Sequence, residues 1–347
     1  MSGEGYRRRI QLTGSSTLVV SLPKDWVRLA GLHKGSYIRL IPRQGLSLLL
    51  VPEREGERKL KEISLTAGEK AGSEEIVRKL ISMYQAGFDV IKVGFKSPRP
   101  EMKAVIKDTV RRRLMGMEIL SESASEILIQ CFTRHMEFPL QDALRRAEEI
   151  ASSMLEDAVE ALLGRDHQLA AEVFQRDDEV DRLFHYMIRQ LNVALERPEA
   201  LEDLGLINPM EFLSYASIAK AVERVGDHAA SIAIIAEEID GKLVDNLAAE
   251  IATMNREAVK AFKSALNSVE KRDGELANNI VDGVGEIRRK QYERAVEKVM
   301  KWKTSPRNAS LIKTVLEDLM RVAEYSADIA EQAILLSIIV AESPLKK

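Results

Sequence analysis

The sequence predicts a multi-domain α+β protein in which a small β-rich unit and a small α/β unit precede two tandem three-helix bundles. Apolar residues alternate in short, strand-like runs up to residue 132 and recur at helical spacing from residue 139 onward. The 347 residues exceed what one hydrophobic core accommodates. Charged residues make up 30% of the chain and aromatic residues only 5%, which is typical of long amphipathic helices.

The first domain, residues 1–52, is predicted to be β-rich. Four strands and one short helix are expected, at residues 8–12, 18–22, 24–30, 37–41 and 46–51. Pro23 favours the start of the helix and Gly31 its end. Because so short a segment buries little apolar surface alone, Trp26, Val27 and the run at 46–51 predict a homodimer.

Charge is distributed unevenly along the chain. Residues 1–52 contain eight Lys or Arg and two acidic residues, whereas the remainder contains 43 basic and 52 acidic residues. A basic segment of this kind predicts contact with nucleic acid or another anion. The alternative is a basic patch without a partner.

The order of these elements, with Gly-Ser-Ser-Thr-Leu-Val-Val-Ser-Leu-Pro at 14–23, resembles the AbrB/SpoVT swapped-hairpin family. The resemblance implies a dimer that presents basic strand and loop residues to DNA, with salt-dependent affinity for phosphates. The matching basic positions are Arg7, Arg8, Arg9, Lys24 and Arg28. The alternative is that the unit only dimerises the chain.

Residues 53–137 are predicted to form a small α/β domain that begins with a charged linker. Strands and helices are expected in the order β-α-β-α-β-β, at residues 62–65, 74–86, 89–95, 99–114, 117–121 and 126–132. This order suggests a small sandwich, loosely ferredoxin-like. No motif is visible in it, so we interpret it as a spacer or dimerisation module, with ligand sensing as the alternative.

From Pro139 onward the sequence predicts six helices, three in a domain at residues 138–241 and three in a domain at 242–347. They are expected over residues 140–163, 166–196, 210–240, 243–270, 273–302 and 307–341. Three helices followed by three of similar length indicate an internal duplication, and each set can close as an antiparallel bundle.

Acidic residues four positions apart recur in both predicted bundles. The pairs are Asp177/Asp181, Glu223/Asp227, Asp282/Glu286 and Glu324/Asp328. The first and third pairs lie 105 residues apart and the second and fourth 101 apart. The pairs therefore occupy matching helices of the duplication.

These pairs carry an electrostatic cost. Residues i and i+4 share a helix face, and like charges there destabilise an isolated helix by about 0.2–0.5 kcal/mol. Two pairs that converge within one bundle would form an oxygen-rich site suited to hard cations. The alternative is a solvated acidic face neutralised by nearby arginines, for which four are available: Arg176, Arg182, Arg224 and Arg321.

The run Glu-Arg-Val-Gly-Asp-His-Ala at 223–229 resembles the third-helix signature of the PhoU family of phosphate-uptake regulators, and 176–181 resembles the matching second-helix run. The resemblance covers residues 140–341. It implies two three-helix bundles that bind metal ions: iron, or manganese, magnesium, calcium or zinc. The metal ligands that it implies are Asp177, Asp181, Glu223 and Asp227 in the first bundle and Asp282, Glu286, Glu324 and Asp328 in the second.

The second bundle departs from the family pattern. Tyr325 stands where the first bundle has Arg224, and Gly283 and Gly285 weaken its middle helix by up to about 1 kcal/mol each. If only one cluster binds metal, we expect it to be the first.

The leading interpretation is a non-enzymatic, cytoplasmic, phosphate-responsive regulator of phosphate uptake. Its basic N-terminal domain binds DNA, while its bundles bind metal and a phosphate transporter ATPase or a sensor kinase. The alternative is an adaptor that restrains such a partner by protein–protein contact and never touches DNA. Membrane association is expected only through a partner, because the longest apolar run near the end, Ala333–Ala341, is about half a membrane span.

A carboxylate-bridged metalloenzyme is a third hypothesis. Ferritin-like di-iron sites use Glu-x-x-His, and no Glu in this sequence is followed by His at i+3. His185 and His228 lie beside the acidic pairs and are interpreted as structural, with a ligand role as the alternative. Phosphate-binding glycine loops and nucleophile elbows are absent from the sequence. The single cysteine, Cys131, excludes an internal disulfide and fits a reducing compartment.

Overall fold

The computed structural model describes residues 5–43, 47–53, 60–68, 70–97, 99–132, 138–196 and 203–341. The chain divides into two compact units, one up to residue 59 and one that begins at residue 60. Most of the predicted charged linker, residues 54–59, and the predicted helix break at Pro198 lie outside the described residues. In the part of the chain that is described, no helix is both long enough and apolar enough to cross a membrane.

Two β-hairpins and a short helix make up the N-terminal unit, in the predicted order. The elements are β1 (Gln11–Thr13), β2 (Thr17–Val19), α1 (Lys24–Leu29), β3 (Ile38–Arg43) and β4 (Ser47–Pro52). Each antiparallel hairpin is a separate two-stranded sheet. The exchange of hairpins between two chains, and with it the AbrB/SpoVT resemblance, stays a prediction.

The N-terminal unit has no core of its own, since none of its described residues is buried. Large apolar side chains are between 51% and 74% exposed at Ile10, Leu12, Leu18, Val20, Leu29, Tyr37, Leu40 and Leu48. Two-stranded sheets are marginal in water unless they pack on a further apolar surface. Much of the apolar surface of this unit is exposed.

The α/β unit (residues 60–132) has one apolar core built from its sheet and both of its helices. Its elements are β5 (Glu62–Ala67), α2 (Ser73–Gln85), β6 (Val90–Phe95), α3 (Pro100–Arg113), β7 (Met117–Glu122) and β8 (Glu126–Cys131). The sheet order is β5-β6-β8-β7, in which β5 and β6 are parallel and the other neighbours are antiparallel. This corrects the loosely ferredoxin-like expectation: that motif splits its βαβ units with an intervening strand, whereas α2 joins strands that pair directly.

Helices make up the rest of the described chain. They are α4 (Leu140–Gly164), α5 (His167–Glu196), α6 (Glu211–Glu238), α7 (Asp245–Lys271), α8 (Gly274–Ile287), α9 (Glu293–Lys301) and α10 (Pro306–Ala341). The predicted continuous helix at 273–302 is wrong in one respect, because a π-helical turn at Arg288–Tyr292 separates α8 from α9. In that turn Arg288 donates a hydrogen bond to Glu324 of α10, a long-range contact that helical periodicity does not reveal.

Helices α4, α5 and α6 pack on one another as one bundle, and α7, α8 and α10 pack as a second. Their apolar faces also merge into a single core, because α6 packs on α10 and α4 packs on α7. The two bundles are therefore joined along their length.

An Arg-Asp corner occurs at the same place in both bundles, at 165–166 and 272–273. Each arginine has a left-handed backbone, with φ of 57° and 52°. Each aspartate accepts a hydrogen bond from the backbone N–H three residues on, that of Leu169 or Leu276, which is the geometry of a helix N-cap. The two corners lie 107 residues apart. They are further evidence of an internal duplication, independent of the acidic pairs.

The α/β unit is fixed to the first bundle through α5. Arg189 of α5 is 1% exposed and donates hydrogen bonds to the backbone carbonyls of Tyr84 and Phe88. Its guanidinium also pairs with buried Asp89 at 3.2 Å. Removing one partner of such a buried pair typically lowers the free energy of unfolding by about 3–5 kcal/mol. The pair therefore holds the α/β unit firmly against the first bundle.

Backbone contacts tighten the same interface. A β-carbon on Gly87, whose φ is +81°, would stand 2.7 Å from Cγ2 of Val193, so this close approach requires glycine. Asn192 donates a hydrogen bond to the carbonyl of Gln85. The domain interpreted as a spacer is thus docked on the helix that carries Asp177 and Asp181.

Candidate metal centre

The four acids of the first bundle lie on the facing sides of two neighbouring helices, Asp177 and Asp181 on α5 and Glu223 and Asp227 on α6. Asp181, Glu223 and Asp227 each offer a carboxylate oxygen, and these oxygens lie within 4.8 Å of one another. Asp177 interacts electrostatically with all three. These four residues are called the acidic cluster below.

Close packing of the two helices depends on Gly226. A β-carbon there would lie 3.2 Å from Cγ1 of Val180, closer than most side-chain contacts, and 3.4 Å from Oδ1 of Asp177, an ordinary contact distance. The small residue in the Glu-Arg-Val-Gly-Asp run therefore eases the approach of α6 to α5 beside the two acidic pairs.

Burial raises the pKa of three members of the cluster. The pKa of Asp177 rises to about 7, first through burial and then through the charges of Asp181 and Asp227. The pKa of Asp181 rises to about 6, chiefly through burial, which the guanidinium of Arg113 opposes. Burial also raises the pKa of Glu223. At neutral pH the cluster therefore holds negative charge at a cost in free energy.

Basic side chains compensate this charge incompletely. Lys220 donates to Oε1 of Glu223 at 2.5 Å, and Arg224 pairs with Asp227 at 3.2 Å. The other oxygen of Glu223, Oε2, is buried and has no hydrogen-bond partner among the described residues, and Glu223 as a whole is only 9% exposed. Nε of Arg224 lies 3.9 Å from Oε2, beyond hydrogen-bond distance. A buried carboxylate oxygen without a hydrogen bond costs about 1–3 kcal/mol, so the donor set fits a hard cation.

Under the alternative of a solvated acidic face, four arginines were expected to neutralise the acidic pairs. Among them, Arg224 forms ion pairs with members of the first cluster. Arg176 instead pairs with Asp157 of α4 at 2.5 Å. Two bases that sequence reasoning missed lie at the cluster, Lys220 and Arg113. Lys220 stands three residues before Glu223, a spacing that could have identified it, whereas Arg113 comes from the α/β unit and leaves no local signal.

In the second bundle the acids form no comparable group within the described residues. Asp282, Glu286 and Asp328 are exposed, and Glu286 pairs with Lys290 at 3.0 Å. Glu324 is taken by two arginines, Arg288 and Arg321. The structure thus places these four predicted ligands on their expected helices without bringing them together.

Both histidines beside the acidic pairs contact other elements. His185 lies against the α/β unit, with Nδ1 3.1 Å from the amide of Gln85, and burial lowers its pKa to about 4. Nδ1 of His228 lies 2.8 Å from Asp318 of α10, which also accepts a hydrogen bond from Ser231. His228 therefore links the two bundles.

The predicted DNA-contacting residues all lie exposed on the N-terminal unit. Arg7, Arg8 and Arg9 precede β1, and Lys24 and Arg28 lie on α1. Arg28 forms an exposed ion pair with Asp25 at 2.8 Å, so its charge is partly compensated.

The chain is similar in sequence to known proteins over its helical part. The PhoU domain family matches residues 144–236 and 251–333, together just over half of the chain. A phosphate-specific transport system accessory protein PhoU homolog from Clostridium acetobutylicum is 23% identical over 204 residues, which cover 57% of this chain and 90% of that protein. A relative of the same description from a Burkholderia species is 33% identical over 91 residues, which cover 26% of this chain and 36% of that protein.

A solved structure shares the helical fold. The crystal structure of PhoU from Pseudomonas aeruginosa superimposes with a TM-score of 0.51 at 23% sequence identity. The match covers 57% of this chain and 94% of that one. At this level of identity the likeness concerns the fold alone.

Replacing Asp177 with asparagine is expected to stabilise the metal-free protein at pH 8 and to have little effect at pH 4. The pKa of Asp177 is about 7 in the folded chain, against an ordinary value of 3.8. The unfolded chain therefore loses this proton first, and the free energy of unfolding falls as pH rises between these values. Allowing for solvent screening, the gain at pH 8 is about 1 kcal/mol.

Urea denaturation in the presence of a chelator, at both pH values, measures this difference. Glu179→Gln is the matched control, because Glu179 is an exposed acid on the same helix, and it should show no comparable pH-dependent gain. A loss of stability in Asp177→Asn at pH 8 would contradict the electrostatic account of the cluster.

Proposed function

Because this chain belongs to the PhoU domain family, we propose that it is a non-enzymatic accessory protein that regulates phosphate uptake by contact with a partner of the phosphate transport system. The observation that carries the proposal is the match of both helical bundles to this family. The descriptions of the relatives, accessory proteins of phosphate-specific transport, support the choice of process. The partners that fit this role are a phosphate transporter ATPase and a sensor kinase.

We further propose that the acidic cluster binds a hard cation, of which iron(III), manganese, magnesium and calcium are the candidates, with zinc less suited to an all-carboxylate site. Asp181, Glu223 and Asp227 would coordinate the cation, and the nearby carboxylate of Asp177 would add negative charge to the site. A bound cation would remove the repulsion among these carboxylates and satisfy Oε2 of Glu223. Its role would be structural and regulatory.

The second-bundle acids, Asp282, Glu286, Glu324 and Asp328, were also expected to bind metal. Three of these acids are exposed, and Glu286 and Glu324 pair with lysine and arginine, which favours occupancy of the first cluster over the second. Substitutions in the second set therefore serve as controls for the first.

Cation binding at the first cluster is expected to strengthen binding to the partner. Immobilised full-length chain is mixed with the purified transporter ATPase of the same host, or with the soluble part of the sensor kinase, with Mn²⁺ or with a chelator. Retention of the partner should be about fivefold or more higher with Mn²⁺, and Glu223→Gln/Asp227→Asn should abolish this difference. Asp282→Asn/Glu286→Gln should behave as the parent chain. Absence of retention of either partner in any condition would refute the adaptor function.

DNA binding by the N-terminal unit is a second candidate function. It is favoured by the excess of basic residues in 1–52 and by the exposure of the five positions predicted to meet DNA. The uncovered apolar side chains of the unit support a homodimer, which would bring two basic faces together. A chain that binds DNA would regulate transcription of uptake genes as well as a transport partner.

Gel shifts on DNA upstream of the host's phosphate-uptake genes, run across salt concentrations, distinguish this function from the adaptor alone. The logarithm of affinity should fall with the logarithm of salt by about 0.9 per phosphate neutralised. Replacing Arg7, Arg8 and Arg9 with alanine should reduce that slope by up to about 3. Arg146→Ala, an exposed arginine of α4, is the control. No shift at any salt concentration would leave the adaptor function alone.

A further inference from the structure

Arg113 is a group from outside the helical bundles that reaches the acidic cluster. It ends α3 of the α/β unit. Its Nε and Nη2 each lie 3.2 Å from Oδ1 of Asp178, and its Nη1 lies 3.6 Å from Oδ2 of Asp181. Asp178 is not among the three acids whose oxygens converge, whereas Asp181 is, so the guanidinium bridges a neighbouring carboxylate and a candidate ligand.

Arg113 provides Asp181 with a positive charge before any cation binds. Its Nη1 lies within ion-pairing distance of Oδ2 of Asp181, so it partly neutralises that carboxylate. The side chain of Asp181 is only 16% exposed, so its charge is poorly screened by water. A cation bound by Asp181 would stand close to the guanidinium, and like charges that share one carboxylate repel each other.

The α/β unit does not depend on Arg113 for its attachment. The buried Arg189–Asp89 pair and the tight Gly87–Val193 contact hold the α2–β6 connection against the C-terminal half of α5. The Arg113 contact lies more than one helical turn away along α5 and is partly exposed. It can therefore open while the rest of the interface stays closed.

We propose that Arg113 is a built-in competitor at the acidic cluster, so that cation binding displaces it from Asp181, leaves it paired with Asp178 alone and loosens the end of α3. The α/β unit then senses whether the cluster is occupied and changes its own surface accordingly. This inference rests on the proposed cation site and adds to it the element that responds.

Arg112 provides a matched control on the same helix. It pairs with Asp108 at 2.9 Å and with Asp178 at 3.4 Å, and it forms no ion pair with Asp181 among the contacts of the described residues. Its removal subtracts the same charge from α3 while leaving the group that contacts the cluster in place.

Calorimetric titration with Mn²⁺ tests the competition in the full-length chain. Arg113→Ala should bind Mn²⁺ about fivefold more tightly than the parent chain, whereas Arg112→Ala should change the affinity less than twofold. Arg113→Lys, which keeps the charge and loses the planar fork, should lie between them and covers the case in which the alanine variant folds poorly.

Amide hydrogen exchange tests the loosening of α3. In the parent chain Mn²⁺ should speed exchange in the last turn of α3, residues 110–113, and slow it around residues 177–181 and 223–227. In Arg113→Ala the α3 amides should exchange quickly with or without Mn²⁺.

Two negative outcomes are distinguishable. If the parent chain binds Mn²⁺, and Glu223→Gln/Asp227→Asn does not, but neither affinity nor α3 exchange depends on Arg113, the competitor role is wrong and the cation site stands. If the parent chain and the double variant give the same response to Mn²⁺, both proposals are overturned.

Discussion

Repulsion among the four carboxylates at the contact between α5 and α6 is the main constraint on the structure of this protein. Helix packing holds them together: Val180, Val222 and Val225 are at most 1% exposed beside them, and Gly226 lets the backbones approach. Each buried apolar side chain contributes about 1.5–3 kcal/mol, which exceeds the few tenths of a kcal/mol that a like-charge pair costs on a helix surface. The larger penalty comes from burial, which raises the pKa of Asp177 and Asp181. Because the fold holds these carboxylates together at a cost in free energy, a bound cation would lower that cost.

Both helices of the acidic cluster also contact other parts of the chain. Along α5, one face contributes to the cluster, while its C-terminal half is the platform on which the α/β unit is docked through Arg189. On α6, His228 follows the cluster residue Asp227 and contacts Asp318 of the second bundle. The cluster therefore lies beside both the α/β unit and the second bundle, and the apolar cores of the two bundles are merged.

Local patterns were sufficient to predict most elements of the fold, because helical and strand periodicity, Pro100 at a helix start and Asp273 at another are local signals. Local patterns also identified the acidic cluster, since the four acids repeat at fixed spacing. Three features depend on contacts between distant residues and could not be predicted in this way. They are the π-helical turn at Arg288, the direct pairing of β5 with β6, and the approach of Arg113 to Asp181. The second bundle shows the same limit, because its acids keep the spacing while lysine pairs with Glu286 and arginine with Glu324.

The most direct test of the account is the position of the bound ion. Crystals of the full-length chain grown with Mn²⁺ should be measured at the manganese absorption edge, where anomalous scattering identifies the ion. We expect an anomalous peak among the carboxylates of Asp181, Glu223 and Asp227, with a weaker peak or none beside Asp282 and Glu324. A map with no peak at the first cluster, from crystals that contain Mn²⁺ elsewhere, would contradict it.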